Sequence, residues 1–450
     1  MSHSEFSRRH FFYGSLLAGA VPQAGFSSVA SLKRLGYKSP NEKLNIAGIG
    51  AGGKGYSDLM GCATENIVAL VDPDDNRAAR TYNQFPKAAR YKDFRRMFDK
   101  ETNNIDAVTV SCPDHMHGTA AMWAMVRRKH VYCQKPLVRT VWEAQQLTEA
   151  AAKYGVATQM GNQGYSTEGA RQCSEIIWNG DVGNVTKVLA WTDRPGKYWP
   201  QGPDVVPKEG PVPATLDWDA WLGCSEPTPF SPAYHVIKWR GYPQWGCGAI
   251  GDMACHILGT PNMAMRLGAP SSVECIKLEG KSKYTFPFRT VIRFDFPARQ
   301  GMPPVQIFWH DRLSAPPKVD GLPEGTLIGD KDTNGSLFIG DKGMVTTGCY
   351  GEDTRIVPDD KMKDYKLPPK LLTRSPGHYR DWIRACKGGD PSCSNFSVAG
   401  PFVQWMLLGV IAMNFEGKLE WDANKHRFSN NNAANEYLKP KFRKGWKFVG

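Results

Sequence analysis

No two cysteines form a C-x-x-C pair, and the histidines show no zinc spacing, so no metal site is expected. The 11 cysteines are odd in number. Cys112, Cys133, Cys173, Cys247, Cys255 and Cys275 lie in apolar or tightly turned stretches, which predicts buried free thiols and no disulfide frame. The apolar run from Phe11 to Val21 is interrupted by Gly14, Ser15 and Gly19. It is too short to cross a bilayer, which takes about 20 apolar residues, so no permanent membrane anchor is expected. The net charge of +12 comes without a nucleic-acid-binding motif. Its basic residues are spread along the chain, apart from one dense run between Lys439 and Lys447. Nucleic acid is therefore not an expected partner, and that run reads as a surface tail.

With 450 residues, 41% of them hydrophobic and 22% charged, the chain reads as a soluble globular protein of two domains with terminal extensions. Its 45 glycines and 32 prolines imply extensive loops. Residues 1–31 combine Arg8 and Arg9, followed by His10 and Phe11, with a short apolar stretch and small-residue cleavage sites at Ala20 and Ala30. This resembles a twin-arginine signal, with residues 32–43 as a linker. It implies contact with the twin-arginine export machinery and a periplasmic or otherwise exported location. That route carries folded proteins, which agrees with thiols that stay reduced.

Residues 44–160 read as a dinucleotide-binding domain. An apolar strand ends at Ile49 and runs into Gly50, Gly52 and Gly55, a G-x-G-x-x-G turn that opens a helix. The first glycine allows the turn, the second lets a pyrophosphate approach the backbone, and the third packs helix on strand. A second strand leads to Asp72, placed to accept from the ribose hydroxyls and to repel a 2′-phosphate. NAD is favoured over NADP, with nearby Arg77 the one feature that pulls the other way. Strands and helices then alternate, predicting an α/β, doubly wound parallel sheet.

At "VYCQKPL" the chain resembles the Gfo/Idh/MocA family, named for glucose–fructose oxidoreductase and inositol dehydrogenase. Four pieces carry the resemblance: the glycine turn with Asp72, then Pro113 with His117, then Gln134-Lys135-Pro136, then Asp252 with His256. It implies a second, α+β domain with a large, mostly antiparallel open sheet, and a homo-oligomer formed through that sheet. It implies cofactor contacts from Pro113, His117, Gln134 and Lys135. It also implies a catalytic set of Lys135, Asp252 and His256, in which His256 takes a hydroxyl proton and Lys135 polarises the oxygen. If residues from Gly251 open a helix, the i, i+4 spacing puts Asp252 and His256 on one face, where the carboxylate can orient the ring or bind a hydroxyl. Gln134 stands where the family usually has glutamate, so the glutamate's role does not carry over.

Residues 161–420 read as the substrate and oligomerisation domain, and residues 421–450 as the basic tail. The stretch between Thr192 and Gly248 is rich in proline and aromatics. Arg194, Trp199, His235, Trp239 and Arg240 are expected to form a carbohydrate cleft, with Asn162 and Gln163 at its edge. Three functions follow. The first is an NAD-dependent sugar or cyclitol dehydrogenase whose cofactor stays tightly bound, because free NAD is scarce outside the cytoplasm. The second is a redox-neutral glycoside hydrolase that oxidises, eliminates, hydrates and reduces, starting at C3. The third is a non-catalytic NAD- or sugar-binding protein.

Overall fold

The computed structural model describes residues 42–449. The first 41 residues, with the signal expectation, lie outside them.

Six strands form the first sheet: β1 (Asn45–Ile49), β2 (Asn66–Val71), β3 (Ala89–Tyr91), β4 (Ala107–Val110), β5 (His130–Cys133) and β6 (Thr158–Met160). All pair in parallel, in the order β3-β2-β1-β4-β5-β6. Strands β4 and β5 are wholly buried, as both-face coverage requires, which is why they read as unbroken apolar runs. Helices α1 (Lys54–Gly61), α2 (Asp75–Gln84), α3 (Phe94–Glu101), α4 (Asp114–Met125) and α5 (Val141–Tyr154) connect them. Local signals set their ends. Thr140 and Glu143 form a reciprocal capping box at the start of α5, and Gly155 closes it at φ 63°. The chain reverses direction across the sheet between β1 and β4, so a crevice opens at the carboxyl ends of these strands.

After α6 (Glu168–Trp178) comes β7 (Val185–Trp191), then β8 (Ser272–Glu279), β9 (Arg289–Phe296), β10 (Val305–His310), β11 (Gly335–Gly340), β12 (Met344–Thr347) and β13 (Arg355–Val357). With β14 (Leu419–Asp422) and β15 (Arg427–Phe428) they form a nine-stranded sheet, β13-β12-β11-β7-β10-β9-β8-β14-β15. Only β7 and β10 pair in parallel among these strands. The Gly340–Gly343 turn joins β11 to β12 as a hairpin, its ends held by a 2.9 Å backbone bond.

Two late helices return to the first sheet. Helix α7 (His378–Cys386) buries Trp382, Ile383 and Cys386 against Leu44, Ile46, Cys62, Ala107 and Tyr132. Helix α8 (Phe396–Ala412) lies along α5, and its Trp405 meets Phe294 and Phe296 of the large sheet edge-on at 5.1 and 5.2 Å. The stretch 421–450 also differs from a free basic tail. It supplies the end of β14 and the edge strand β15, and Trp446 packs beneath the Arg95 guanidinium, 3.9 Å from the ring centre. Phe442 and Phe448 lie against Trp142 of α5. Aromatic residues at 442, 446 and 448 outweigh the surrounding lysines in deciding where this segment sits.

All 11 cysteines are unpaired. Cys112, Cys275 and Cys393 are half-buried, and the rest are buried. Among the described residues, no helix is long and apolar enough to cross a membrane, and no group of three or more His, Cys, Asp or Glu could hold a metal ion.

Candidate active site

The crevice divides into a groove and a pocket. Lys54, Ser111, Cys112 and Arg240 line both, so the two are continuous.

The groove starts at the glycine turn. Gly50 takes φ 84°, and a Cβ there would sit 2.5 Å from the Cys112 amide nitrogen. A Cβ on Gly55 would lie 1.7 Å from the Gly50 carbonyl oxygen, so this glycine lets α1 pack directly on the turn. The Gly52 N–H donates to the Asp72 carboxylate at 2.8 Å, and the Asp74 N–H donates to its other oxygen at 3.0 Å. Burial raises the Asp72 carboxyl to about 6 against the pull of these donors. Arg77 lies over the turn, within contact distance of Gly52 and Gly53. Turn, helix start, ribose carboxylate and groove fit NAD. Gly50, Gly52, Asp72 and Pro113 line the groove that would hold it.

The pocket is lined by Asp114, His117, Gln134, Lys135, Gln163, His256 and Tyr350, besides the shared residues. Lys135 stands at the end of β5, followed by a cis Lys135–Pro136 bond. Its ammonium donates to the Asp252 carboxylate at 2.8 Å and to the Asp252 carbonyl at 2.7 Å. Arg240 Nε donates to the same carboxylate oxygen at 2.7 Å. Burial opposes the Asp252 charge, but Lys135 and Arg240 outweigh it and hold the carboxyl well below the usual range. Two cations thus share one carboxylate.

His256 lies beside this group, 5% exposed, its ring 4.6 Å from that of Tyr350. Its Nδ1 is buried without a hydrogen-bond partner. Burial, then the Lys135 charge, keeps its pKa well below the ordinary histidine value, so the ring is a neutral base at pH 7. The segment from Ile250 to Ala254 is a π-helical turn rather than an α-helix, followed by a short turn from Cys255 to Ile257. Asp252 is held by Lys135 and Arg240, so it fixes the lysine rather than orienting the His256 ring.

His117 links the two sheet-edge loops. Its Nδ1 lies 2.7 Å from the Pro136 carbonyl and its Nε2 2.7 Å from that of Cys112. Gln134 donates to both oxygens of Asp58, at 2.9 and 3.1 Å. Asp58 also accepts from Ser111 at 2.7 Å and from Tyr379 at 2.8 Å, and it pairs with Lys54. A carboxylate is therefore present beside position 134 after all, supplied by α1. Asp114 opens α4, and burial raises its carboxyl to about 7 despite the charges of Arg240 and Lys135.

The expected sugar contacts divide. Gln163 and Arg240 line the pocket. His235 and Trp239 line the cofactor groove instead. Trp199 is buried in the core, its indole bonded to Gln201 at 3.0 Å. Asn162 is buried and accepts from Ser394 at 2.5 Å. Arg194 lies over the Tyr198 ring and outside the residues that line either cavity. Sequence reasoning missed Lys54, Asp58, Asp114 and Tyr350. Lys54 and Asp114 sit inside motifs that sequence reading quotes, whereas Tyr350 follows a β-hairpin with no local signal.

Residues 44–162 match the model described as "Oxidoreductase family, NAD-binding Rossmann fold", and residues 176–274 match its C-terminal alpha/beta domain. A levoglucosan dehydrogenase of Pseudarthrobacter phenanthrenivorans is 23% identical over 231 residues, 48% of this chain and 50% of that protein. An inositol 2-dehydrogenase of Salmonella typhimurium is 26% identical over 150 residues, 32% of this chain and 44% of that protein. The chain thus spans about half the length of the curated relatives it matches. The fold is similar to that of the WlbA dehydrogenase from Bordetella pertussis, solved with NADH and UDP-GlcNAcA. The TM-score is 0.58 at 14% identity, over 85% of this chain and 99% of that one. Over both matched segments the chain is similar to the Gfo/Idh/MocA oxidoreductases, an NAD-binding Rossmann domain followed by a C-terminal alpha/beta domain.

Proposed function

We propose that this protein is an NAD-dependent oxidoreductase acting on a CH–OH group of a sugar or cyclitol, with the cofactor held through turnover. The observation that carries this reading is the joining of the NAD groove to a pocket that holds a neutral base and a fixed ammonium. NAD, when bound, accepts a hydride from the carbinol carbon.

The chain's own groups handle the proton and the orientation. His256, kept neutral by burial, takes the hydroxyl proton. Lys135 stays aimed because Asp252 holds it at two oxygens, and its remaining donor capacity serves the reacting oxygen. Arg240 and Gln163 supply donors for neighbouring hydroxyls. The names of the levoglucosan and inositol relatives support a polyhydroxylated ring as substrate. Export by the twin-arginine route and assembly through the open sheet belong to the same reading. Substituting Arg8→Lys with Arg9→Lys should abolish export, and an unchanged cell fraction would remove that part.

The central test incubates purified protein with sugars, cyclitols and glycosides, with and without an added hydride acceptor. A ketone formed with Lys135 and His256 intact, and lost in Lys135→Ala and His256→Ala, supports the dehydrogenase. Free sugar released from a glycoside without added NAD would replace it with the redox-neutral hydrolase. Silence across the panel with NAD bound would point to a binding protein.

A further inference from the structure

The insert between β7 and β8 does not form the walls of the pocket alone. Between Thr215 and Arg240 it also lines the cofactor groove, stitched to the loop that follows β2. The Asp217 N–H donates to the Pro73 carbonyl at 2.8 Å, and the Asp75 N–H donates to that of Thr215 at 3.1 Å. Asp74 and Leu216 form an isolated bridge. His235 Nε2 lies 3.1 Å from the Asp74 carboxylate, two residues beyond the ribose carboxylate Asp72. Further along, His115 Nε2 meets the Trp221 carbonyl at 3.0 Å.

The C-terminal segment closes the other side. The Arg443 N–H donates to the Cys224 carbonyl at 2.9 Å, and its guanidinium pairs with Asp219 at 2.5 Å. This brings Trp446 to the groove, its ring 6.0 Å from that of Phe94, and Trp221 and Trp239 line the same groove. Each of the three tryptophans has one face already covered: Trp446 by Arg95, Trp239 by Arg240, and Trp221 by Trp218, stacked at 4.5 Å. Trp446 is half-buried, whereas Trp221 and Trp239, each 4% exposed, show the groove only a small part of their rings.

We infer that Trp221, His235, Trp239 and Trp446 complete the adenosine half of the NAD site as a cover drawn from the substrate domain and the C-terminal segment, so that the cofactor leaves only when this cover separates. The inference rests on the proposed retention of NAD and supplies its structural cause. The half-buried Trp446 ring suits adenine, and His235 fixes the cover to the loop whose carboxylate serves the ribose. Arg240 belongs both to the cover and to the Asp252 group, so the cover reaches the catalytic pocket.

The test follows NAD itself and does not depend on turnover. NAD(H) per chain is measured after gel filtration of the purified protein. The half-time for replacement by fluorescent etheno-NAD is then measured for the parent, Trp446→Ala, Trp446→Phe and His235→Ala. The parent is expected to keep NAD through gel filtration. Trp446→Ala should exchange about 5- to 150-fold faster, the range of one base–aromatic stack, with Trp446→Phe in between. His235→Ala should also exchange faster, and urea midpoints will separate loss of the cover from loss of fold. Variants that exchange at the parental rate while the parent retains NAD would overturn the cover alone. A parent stripped of NAD by gel filtration would overturn both the cover and the retained-cofactor reading.

Discussion

Asp252→Asn is the substitution whose effect follows most directly from the geometry. The Lys135 and Arg240 nitrogens each lie within 2.8 Å of one Asp252 oxygen. They are therefore no more than about 5.6 Å apart. At an effective dielectric constant of about 20, two unit charges at that distance repel by about 3 kcal/mol. In the parent, the shared carboxylate more than offsets this. Asparagine keeps the shape and removes the offset. Breaking a buried pair in this way costs roughly 3–5 kcal/mol of stability. Adding Arg240→Gln removes the second cation and with it the repulsion. The double variant should then lose less stability than Asp252→Asn alone, by about 3 kcal/mol, and less than the two single variants together. Urea unfolding measures this cycle, provided the slope against denaturant stays constant. Turnover should fall in Asp252→Asn and stay low in the double variant, because Lys135 has lost its anchor in both. Additive stabilities, or wild-type turnover in Asp252→Asn, would refute a carboxylate shared by two cations.

His256→Ala should lower kcat by about 10²- to 10⁴-fold, the ordinary contribution of a positioned general base, and added imidazole should restore part of it. In the parent, burial holds the His256 pKa down, so kcat/KM should fall only as pH drops below the ordinary histidine value of about 6.5. Gly55→Ala should abolish NAD binding measured by fluorescence titration, since its Cβ would fall 1.7 Å from the Gly50 carbonyl oxygen. Asp114 contributes stability below the unfolded carboxylate value and loses it as pH rises through about 7. The difference in unfolding free energy between Asp114→Asn and the parent should therefore shift in favour of the asparagine variant across that window.

The first sheet was legible because parallel strands buried on both faces write themselves as apolar runs, and the glycine turn with Asp72 marks its cofactor edge. Lys135, Asp252 and His256 were legible as a set. The way they connect was not, because a π-turn and an α-turn carry the same sequence spacing. Aromatic density misled at Trp199. A tryptophan whose indole finds Gln201 inside the core looks, in sequence, like one that faces a sugar. His235 and Trp239 went to the cofactor for a similar reason, since nothing in "YHVIKWRG" tells which side of a domain boundary it will cover. The Asp58 carboxylate that Gln134 meets belongs to another element, and the pair is visible only when α1 and β5 are seen side by side.

The return of α7 and α8 to the first sheet bears on how the protein is made. Leu44, Ile46, Ala107 and Tyr132 find their partners in Trp382, Ile383 and Cys386, more than 240 residues downstream. The cofactor domain emerges first from the ribosome and finishes last. Until α7 and α8 are made, part of one face of its sheet stays uncovered, and Trp446 arrives only after that. A fragment ending at residue 162 should accordingly be aggregation-prone rather than a small nucleotide-binding module.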